Sequence, residues 1–195
     1  MRALRLPATA VRGSCPASCD RFPAMPELGP VAWPPAPIRT ERLVLREPEA
    51  RDRAAFIELQ ASPEVSSYLG GPRPRDELER EMPGAPERYP GLFAVDLDGA
   101  MIGQVILRRA HGGSVPAAAG KAELGYLFLP RAWGFGYALE ACAAALGWLA
   151  GELPGEPVVI SIHSRATLEQ VKSQLKVISL IDAFQRQQDA PRQAH

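Results

Sequence analysis

The sequence predicts one mixed α/β domain of the α+β type, and three observations carry that expectation. Short apolar, strand-like runs recur between residues 40 and 162. Helical spacing of apolar residues appears between several of them. Two of the runs are joined by Asp98-Gly99, the pair that suits a two-residue hairpin because both positions need positive φ. The chain has 195 residues, 46% of them hydrophobic. A domain of that size removes about 70% of its unfolded surface from water, so one core suffices and a second domain is not expected.

Residues 1–37 read as an unfolded extension. Arg2, Arg5, Pro7 and Arg12 interrupt the apolar stretch that a secretory signal needs, and Pro34, Pro35 and Pro37 mark an extended lead-in. The acid-free start before Asp20 also has the composition of an organelle transit peptide. The simpler expectation is that translation begins at Met25. From Thr40 to Arg46 polar and apolar residues alternate, which predicts a half-buried strand. Residues 50–60 carry Ala55, Phe56 and Leu59 on one helical face, ending before Pro63. Residues 65–69 lead into a Gly70-Gly71-Pro72 loop, and 75–82 forms a short charged helix with Leu78 and Met82 four apart.

Strands follow at 92–97 and 100–108, with Gly103 inside the second predicting a bulge or a close backbone approach. Residues 111–120, rich in Gly, Ser and Ala, read as a loop in which His111 is solvated. A strand over 121–129 is stopped by Pro130, which offers no ladder donor. A helix begins at Gly136 and places Tyr137, Glu140, Ala141, Ala144, Ala145 and Trp148 at three- and four-residue spacing. Pro154 and Pro157 break it, and 158–162 reads as a buried strand. The remainder, 163–195, changes character: glutamines accumulate and Lys172 and Lys176 appear in a chain that otherwise prefers Arg. Ser164 or Thr167 caps a predicted helix across Leu168, Val171, Leu175 and Ile178, with a further apolar group at Leu180, Ile181 and Phe184.

The chemistry concentrates in Arg131-Ala132-Trp133-Gly134-Phe135-Gly136, between strand and helix. Its glycines permit a sharp turn, and the first amides of the helix point outward with the positive end of the dipole, which suits a phosphate. A P-loop requires Gly-Lys-Ser/Thr, whereas Gly136 is followed by Tyr137 and Ala138. A dinucleotide fingerprint requires a third glycine where Leu139 stands, and an acidic residue after the next strand, which instead leads to His163.

The pattern Arg-x-x-Gly-x-Gly, following a strand that starts Glu-Leu-Gly-Tyr and continued by Tyr-Ala-x-Glu-Ala, resembles the coenzyme-A-binding motif of the GNAT N-acetyltransferase superfamily. It is most similar to the branch of ribosomal-protein N-terminal acetyltransferases. The stretch Thr40-Glu41-Arg42-Leu43-Val44-Leu45-Arg46 resembles the opening strand of the same branch, so the likeness covers residues 38–162. It implies a mostly antiparallel central sheet flanked by helices, with a splayed parallel pair whose wedge holds the pantetheine arm. Residues 163–195 depart from the family: its Asn-x-x-Ser and Leu-Gly-Phe are absent, and the two closing strands are expected to be missing. The edge at 158–162 would then lack its usual cover unless the new helix or a second subunit supplies it.

The resemblance also implies a reaction. Acetyl-CoA donates its acetyl group to an amine, on a protein N-terminus or a small molecule, by direct attack, with no metal. Main-chain groups of Leu127, Phe128 and Leu129 would meet the acyl end, an amide near Leu127 or Phe128 stabilising the oxyanion. The amides from Trp133 through Gly134, Phe135, Gly136 and Tyr137 to Ala138 would hold the pyrophosphate, with Arg131 supporting the turn. Phe135 stands where relatives often have a cation. Glu123 is the candidate base, or else a surface carboxylate facing Lys121 or solvent. Tyr68 is a candidate acceptor contact or a packing residue. The usual acid is a tyrosine in the divergent part; here the last is Tyr137, leaving Ser161, His163, Ser164 or water. The alternative is a catalytically impaired acyl-CoA-binding remnant or pseudoenzyme. The formal net charge of zero gives no reason to expect nucleic acid or a membrane as partner, and a homodimer remains open. Cys15 and Cys19 lack a second ligand pair, and Cys142 lies in the alanine-rich helix as a small apolar side chain, which suggests a reducing, cytoplasmic setting.

Overall fold

A six-stranded sheet in simple sequence order forms the middle layer of the protein. In a computed structural model that describes residues 28–66, 71–82, 84–110, 119–160 and 168–189, the strands are β1 (Ile38–Arg39), β2 (Val44–Arg46), β3 (Leu92–Leu97), β4 (Ala100–Arg109), β5 (Ala122–Phe128) and β6 (Val158–Ile160). All neighbours are antiparallel except β5 and β6. A parallel pair needs a long crossover, and α4 (Tyr137–Glu152) provides it. The mixed class with one parallel pair is as the sequence predicts.

Alternation along the strands divides the core in two. Phe93, Val95, Val105, Leu107, Leu124 and Phe128 face α4 and α5 (Leu168–Asp189). Leu92, Ala94 and Met101 face α1 (Arg53–Ala61) and α2 (Pro63–Ser66), with Met82, just past α3 (Arg75–Glu81), against the same cluster. No β-branched residue interrupts 137–152, and Ala141, Cys142, Ala145, Leu146 and Leu149 form its buried stripe. The stripe is rotated by one residue from the expected face, because Tyr137, Glu140 and Trp148 lie on its flank, where they meet the first strands and residues 28–37.

Three local expectations are corrected. Residues 40–46 do not run as one strand: β1 folds back on β2, pairing Ile38 with Leu45. The Thr40 hydroxyl causes this by accepting the Leu43 N–H at 2.9 Å, a side-chain bond that competes with extended pairing. Residues 28–37 have little regular structure yet belong to the core. Leu28 is fully buried, and Trp33 lies edge-on to Phe93 and Trp148 at 5.1 and 5.8 Å. Its apolar side chains anchor it. The helix predicted at 50–60 opens with a 3-10 turn, Ala50–Asp52, and buries Ile57 beside Phe56 and Leu59. Asp52 is turned inward to the Arg46 guanidinium, with Nη1 and Nη2 donating at 2.7 and 2.9 Å; Asp96 accepts from the same Nη2 at 2.9 Å. Burial pushes the Asp52 carboxyl up, but the bonds from Arg46 and the Glu49 N–H outweigh it and hold the group below the usual carboxylate range.

The tail helix is continuous through both predicted apolar groups, with Val177 and Ile181 buried and Phe184 packed against the main core. It also serves the sheet edge: Gln185 Nε2 donates to the Val158 carbonyl at 2.8 Å, and Gln188 Oε1 accepts from the Gly155 N–H. Among the described residues no strand follows β6; α5 covers it instead. No helix among the described residues is long and apolar enough to cross a membrane.

Gly103 shows both features expected of it. Val95 pairs with Gly103 and Asp96 with Met101, so Ile102 is the extra residue of a bulge. A Cβ on Gly103 would lie 2.6 Å from the Leu127 carbonyl oxygen and from the Phe128 ring. Gly103→Val is therefore expected to lower stability by about 1–3 kcal/mol, as overpacking does, measured by urea denaturation; an unshifted midpoint would show that β4 and β5 separate freely.

Candidate active site

The end of β5 is closed by a short 3-10 turn, Pro130–Ala132, with proline at its first position. There the Ala132 N–H donates to the Leu129 carbonyl at 2.8 Å and the Trp133 N–H to that of Pro130 at 3.1 Å. Two left-handed residues follow, Gly134 at φ +85° and Gly136 at φ +83°, a conformation that side chains rarely adopt. They turn the chain into α4 so that the amides of 134–138 find no main-chain acceptor in the turn, while the Gly136 carbonyl accepts the first helical bond from Glu140. Residues 133–136 are exposed, and a Cβ on Gly134 meets nothing within 4 Å. The result is an outward row of N–H donors at a helix start, an arrangement able to hold an anion. Because the Trp133 amide is bonded to Pro130, the row begins at Gly134, one residue later than expected.

Beside the turn, the described pairing of β5 with β6 covers only the first part of β5. Pairing runs from Ala122–Val158 to Leu124–Ile160, so residues 125–128 lie past the last described pair. The Leu129 N–H donates to Ile102 of β4. By two-residue alternation the Leu127 amide also faces β4, whereas that of Phe128 faces the β6 side. The indole Nε1 of Trp133 caps the Phe128 carbonyl at 2.7 Å. Of the three main-chain positions expected at the acyl end, only Phe128 therefore presents its N–H toward the wedge.

Glu123 lies at the other end of β5, on the face shared with Gly125 and Leu127. It is 7% exposed, and Arg108, directly opposite on β4, donates Nε to its Oε2 at 2.8 Å. It thus faces neither Lys121 nor solvent, because the cross-strand register sets Arg108 against it. Among the described residues, a Cβ on Gly125 meets nothing within 4 Å, leaving open space on this face between Glu123 and Leu127. Arg131 reaches away from the amides: its Nη1 donates to Glu58 Oε1 of α1 at 2.7 Å. Cys142 is buried, and burial pushes its thiol up, so it is no nucleophile. Tyr68, Ser161, His163, Ser164, Cys15 and Cys19 lie outside the described residues. Among those described, no group of three or more His, Cys, Asp or Glu is arranged to hold a metal.

One contributor had no signal in the local sequence. Arg42 comes from the β1–β2 turn to the mouth of α4, donating Nε to Glu140 Oε2 at 2.8 Å and Nη1 to the Phe135 carbonyl at 3.1 Å. Its guanidinium lies 4.7 Å above the Tyr137 ring, which stacks on the exposed Phe135. Thr40 Oγ1 and the Arg42 N–H both donate to the other Glu140 oxygen.

The family model for the acetyltransferase (GNAT) domain matches residues 42–170, spanning β2 through the start of α5. The chain belongs to the GNAT acetyltransferase family. Solved GNAT-type structures share the fold. The acetyltransferase of Agrobacterium tumefaciens str. C58 is similar at 26% identity and TM-score 0.55, over 75% of this chain and 85% of that one. The GNAT-family acetyltransferase of Bacillus anthracis is 23% identical with TM-score 0.53, over 75% and 82%. AAC(6')-Ib in complex with ribostamycin and coenzyme A is 15% identical with TM-score 0.51, over 70% and 82%. No curated protein matches the sequence. GNAT membership makes the exposed amide row at α4 the part of the fold from which to read function.

Burial pushes the Glu140 carboxyl up, but the hydrogen bonds from Thr40 and Arg42 prevail and hold it below the usual carboxylate range. A group depressed in the folded state stabilises it above its unfolded pKa of about 4.3 and loses that contribution as pH falls through the lower folded value. The unfolding free energy is expected to fall with acidification below about pH 4.3, and Glu140→Gln to flatten that dependence in denaturation curves taken at stepped pH.

Proposed function

We propose that this GNAT protein transfers an acetyl group from acetyl-CoA to an amine, by attack of the amine nitrogen on the thioester carbonyl with loss of the CoA thiol. The observation that carries this reading is the exposed row of amides from Gly134 to Ala138, held outward by two left-handed glycines in a chain of this family. These amides suit the pyrophosphate, since they need an acceptor and the space above Gly134 is open. The Phe128 N–H, on the β6 side of β5, is suited to the oxygen that gains charge. Glu123 is suited to receive the amine proton, directly or through water, across the space above Gly125. The Thr40–Arg46 and Trp133–Ala138 stretches support placement in the ribosomal-protein-like branch, with a protein N-terminus or a small-molecule amine as acceptor. Tyr68 is proposed to border that acceptor, and the unit from 38 to 162 to be the catalytic core.

Isothermal titration with coenzyme A and thiol release from acetyl-CoA over a panel of amines test the proposal. Gly134→Glu, which adds both strain at φ +85° and a negative charge, is expected to weaken coenzyme A by about a hundredfold or more, the scale of a lost phosphate cradle. Glu123→Gln should lower kcat by about a hundredfold as loss of a general base does, with the coenzyme A Kd unchanged; equal turnover would remove Glu123 from the mechanism. That α5 follows β6 among the described residues, where the resemblance calls for closing strands, favours a second reading, an acyl-CoA-binding protein without turnover. Binding with no thiol release from any amine would select it, and a folded sample that binds no coenzyme A would sink both.

A further inference from the structure

We infer that Arg42 is a positioning residue for phosphate binding: it fixes the orientation of the Phe135–Gly136 peptide so that the Gly136 N–H points out of the turn. The inference rests on the acetyl-CoA reading of the site and adds to it a residue far away in sequence. The peptide between Phe135 and Gly136 is trans, so its carbonyl and N–H point to opposite sides of the chain. Arg42 Nη1 holds the carbonyl at 3.1 Å on one side. The N–H is thereby directed to the other, where no main-chain acceptor meets it.

Apart from the stacking of Tyr137 on Phe135, little in the turn itself holds the peptide that way. Gly136 adjoins it on one side and Gly134 lies one residue before Phe135 on the other, both at positive φ, the residues for which alternative backbone states cost least, and residues 134–136 are solvent-exposed. Phe135 itself is 60% exposed and cannot anchor the turn by burial. Arg42 can, because its guanidinium is rigidly held: Nε and Nη2 engage Glu140 Oε2 at 2.8 and 2.6 Å, and Tyr137 lies beneath it. Glu140 is fixed in turn by Thr40 Oγ1 and the Arg42 N–H, so the latch ties the β1–β2 turn to the first turn of α4. A lysine lacks the planar fork needed to reach the carboxylate and the carbonyl together.

The test compares coenzyme A with acetylpantetheine, which has no phosphates, on the full chain at two salt concentrations. Arg42→Gln is expected to weaken coenzyme A by about tenfold, the scale of one hydrogen bond to a charged group, to leave kcat/KM with acetylpantetheine unchanged, and to do so equally at low and high salt. Arg42→Lys should not rescue it. Glu140→Ala separates the inference from simple charge effects even if Arg42→Gln folds poorly. Loss of the latch weakens coenzyme A, whereas removing a negative charge near a phosphate would tighten it. Unchanged coenzyme A affinity in Arg42→Gln, equal losses for both ligands, a loss that vanishes at high salt, or tighter binding by Glu140→Ala would each overturn the inference while leaving the site reading intact. A folded wild-type chain that does not bind coenzyme A would instead refute the site reading, and this inference with it.

Discussion

The fold depends on how one helix end is held. The first turn of α4 carries main-chain donors that no residue of the helix can satisfy, and the glycines that aim them outward are also the weakest points of the backbone around them. The structure resolves this by bringing Thr40 and Arg42 across to Glu140 and the Phe135 carbonyl. The same contact closes the open side of the sheet, where β1 and β2 would otherwise meet α4 only through apolar side chains. Stability and the readiness of the turn for an anion therefore come from one set of bonds.

A second constraint shapes the other side of the site. β5 is paired along its full length with β4 and, among the described residues, over Ala122 to Leu124 with β6. Beyond Leu124 the alternation of a strand turns one set of main-chain groups to the β6 side, and the Trp133 indole caps the Phe128 carbonyl at its end. The close approach of Gly103 to Leu127 and Phe128 keeps this half of β5 pressed against β4. The buried Arg46–Asp52–Asp96 cluster at the far edge holds the start of α1 against β2 and β3. Such a cluster tolerates loss of a member poorly, because the remaining charge stays out of water.

The tail helix supports the sheet from outside it. α5 buries Val177 and Ile181 against α4 and supplies glutamine side chains to main-chain groups near the edge strand. Side-chain amides can satisfy isolated peptide groups but not a continuous ladder.

Most elements were legible because their causes are local. Proline and glycine punctuation, the Asp98-Gly99 hairpin and the uninterrupted helix formers of 137–152 determine strands, turn and helix from neighbouring residues alone. So does the requirement for glycine at 134 and 136, which marked the anion site and, through its wider pattern, the family. Contacts between residues far apart in the chain were settled only by the tertiary structure: the return of β1 on β2, the burial of Leu28 and Trp33, the pairing of Glu123 with Arg108, the turning of Arg131 to Glu58, and above all Arg42 at Glu140. A side chain's neighbours along the sequence restrict its backbone conformation. Its electrostatic partners depend on sheet register and helix placement, which the whole chain decides together.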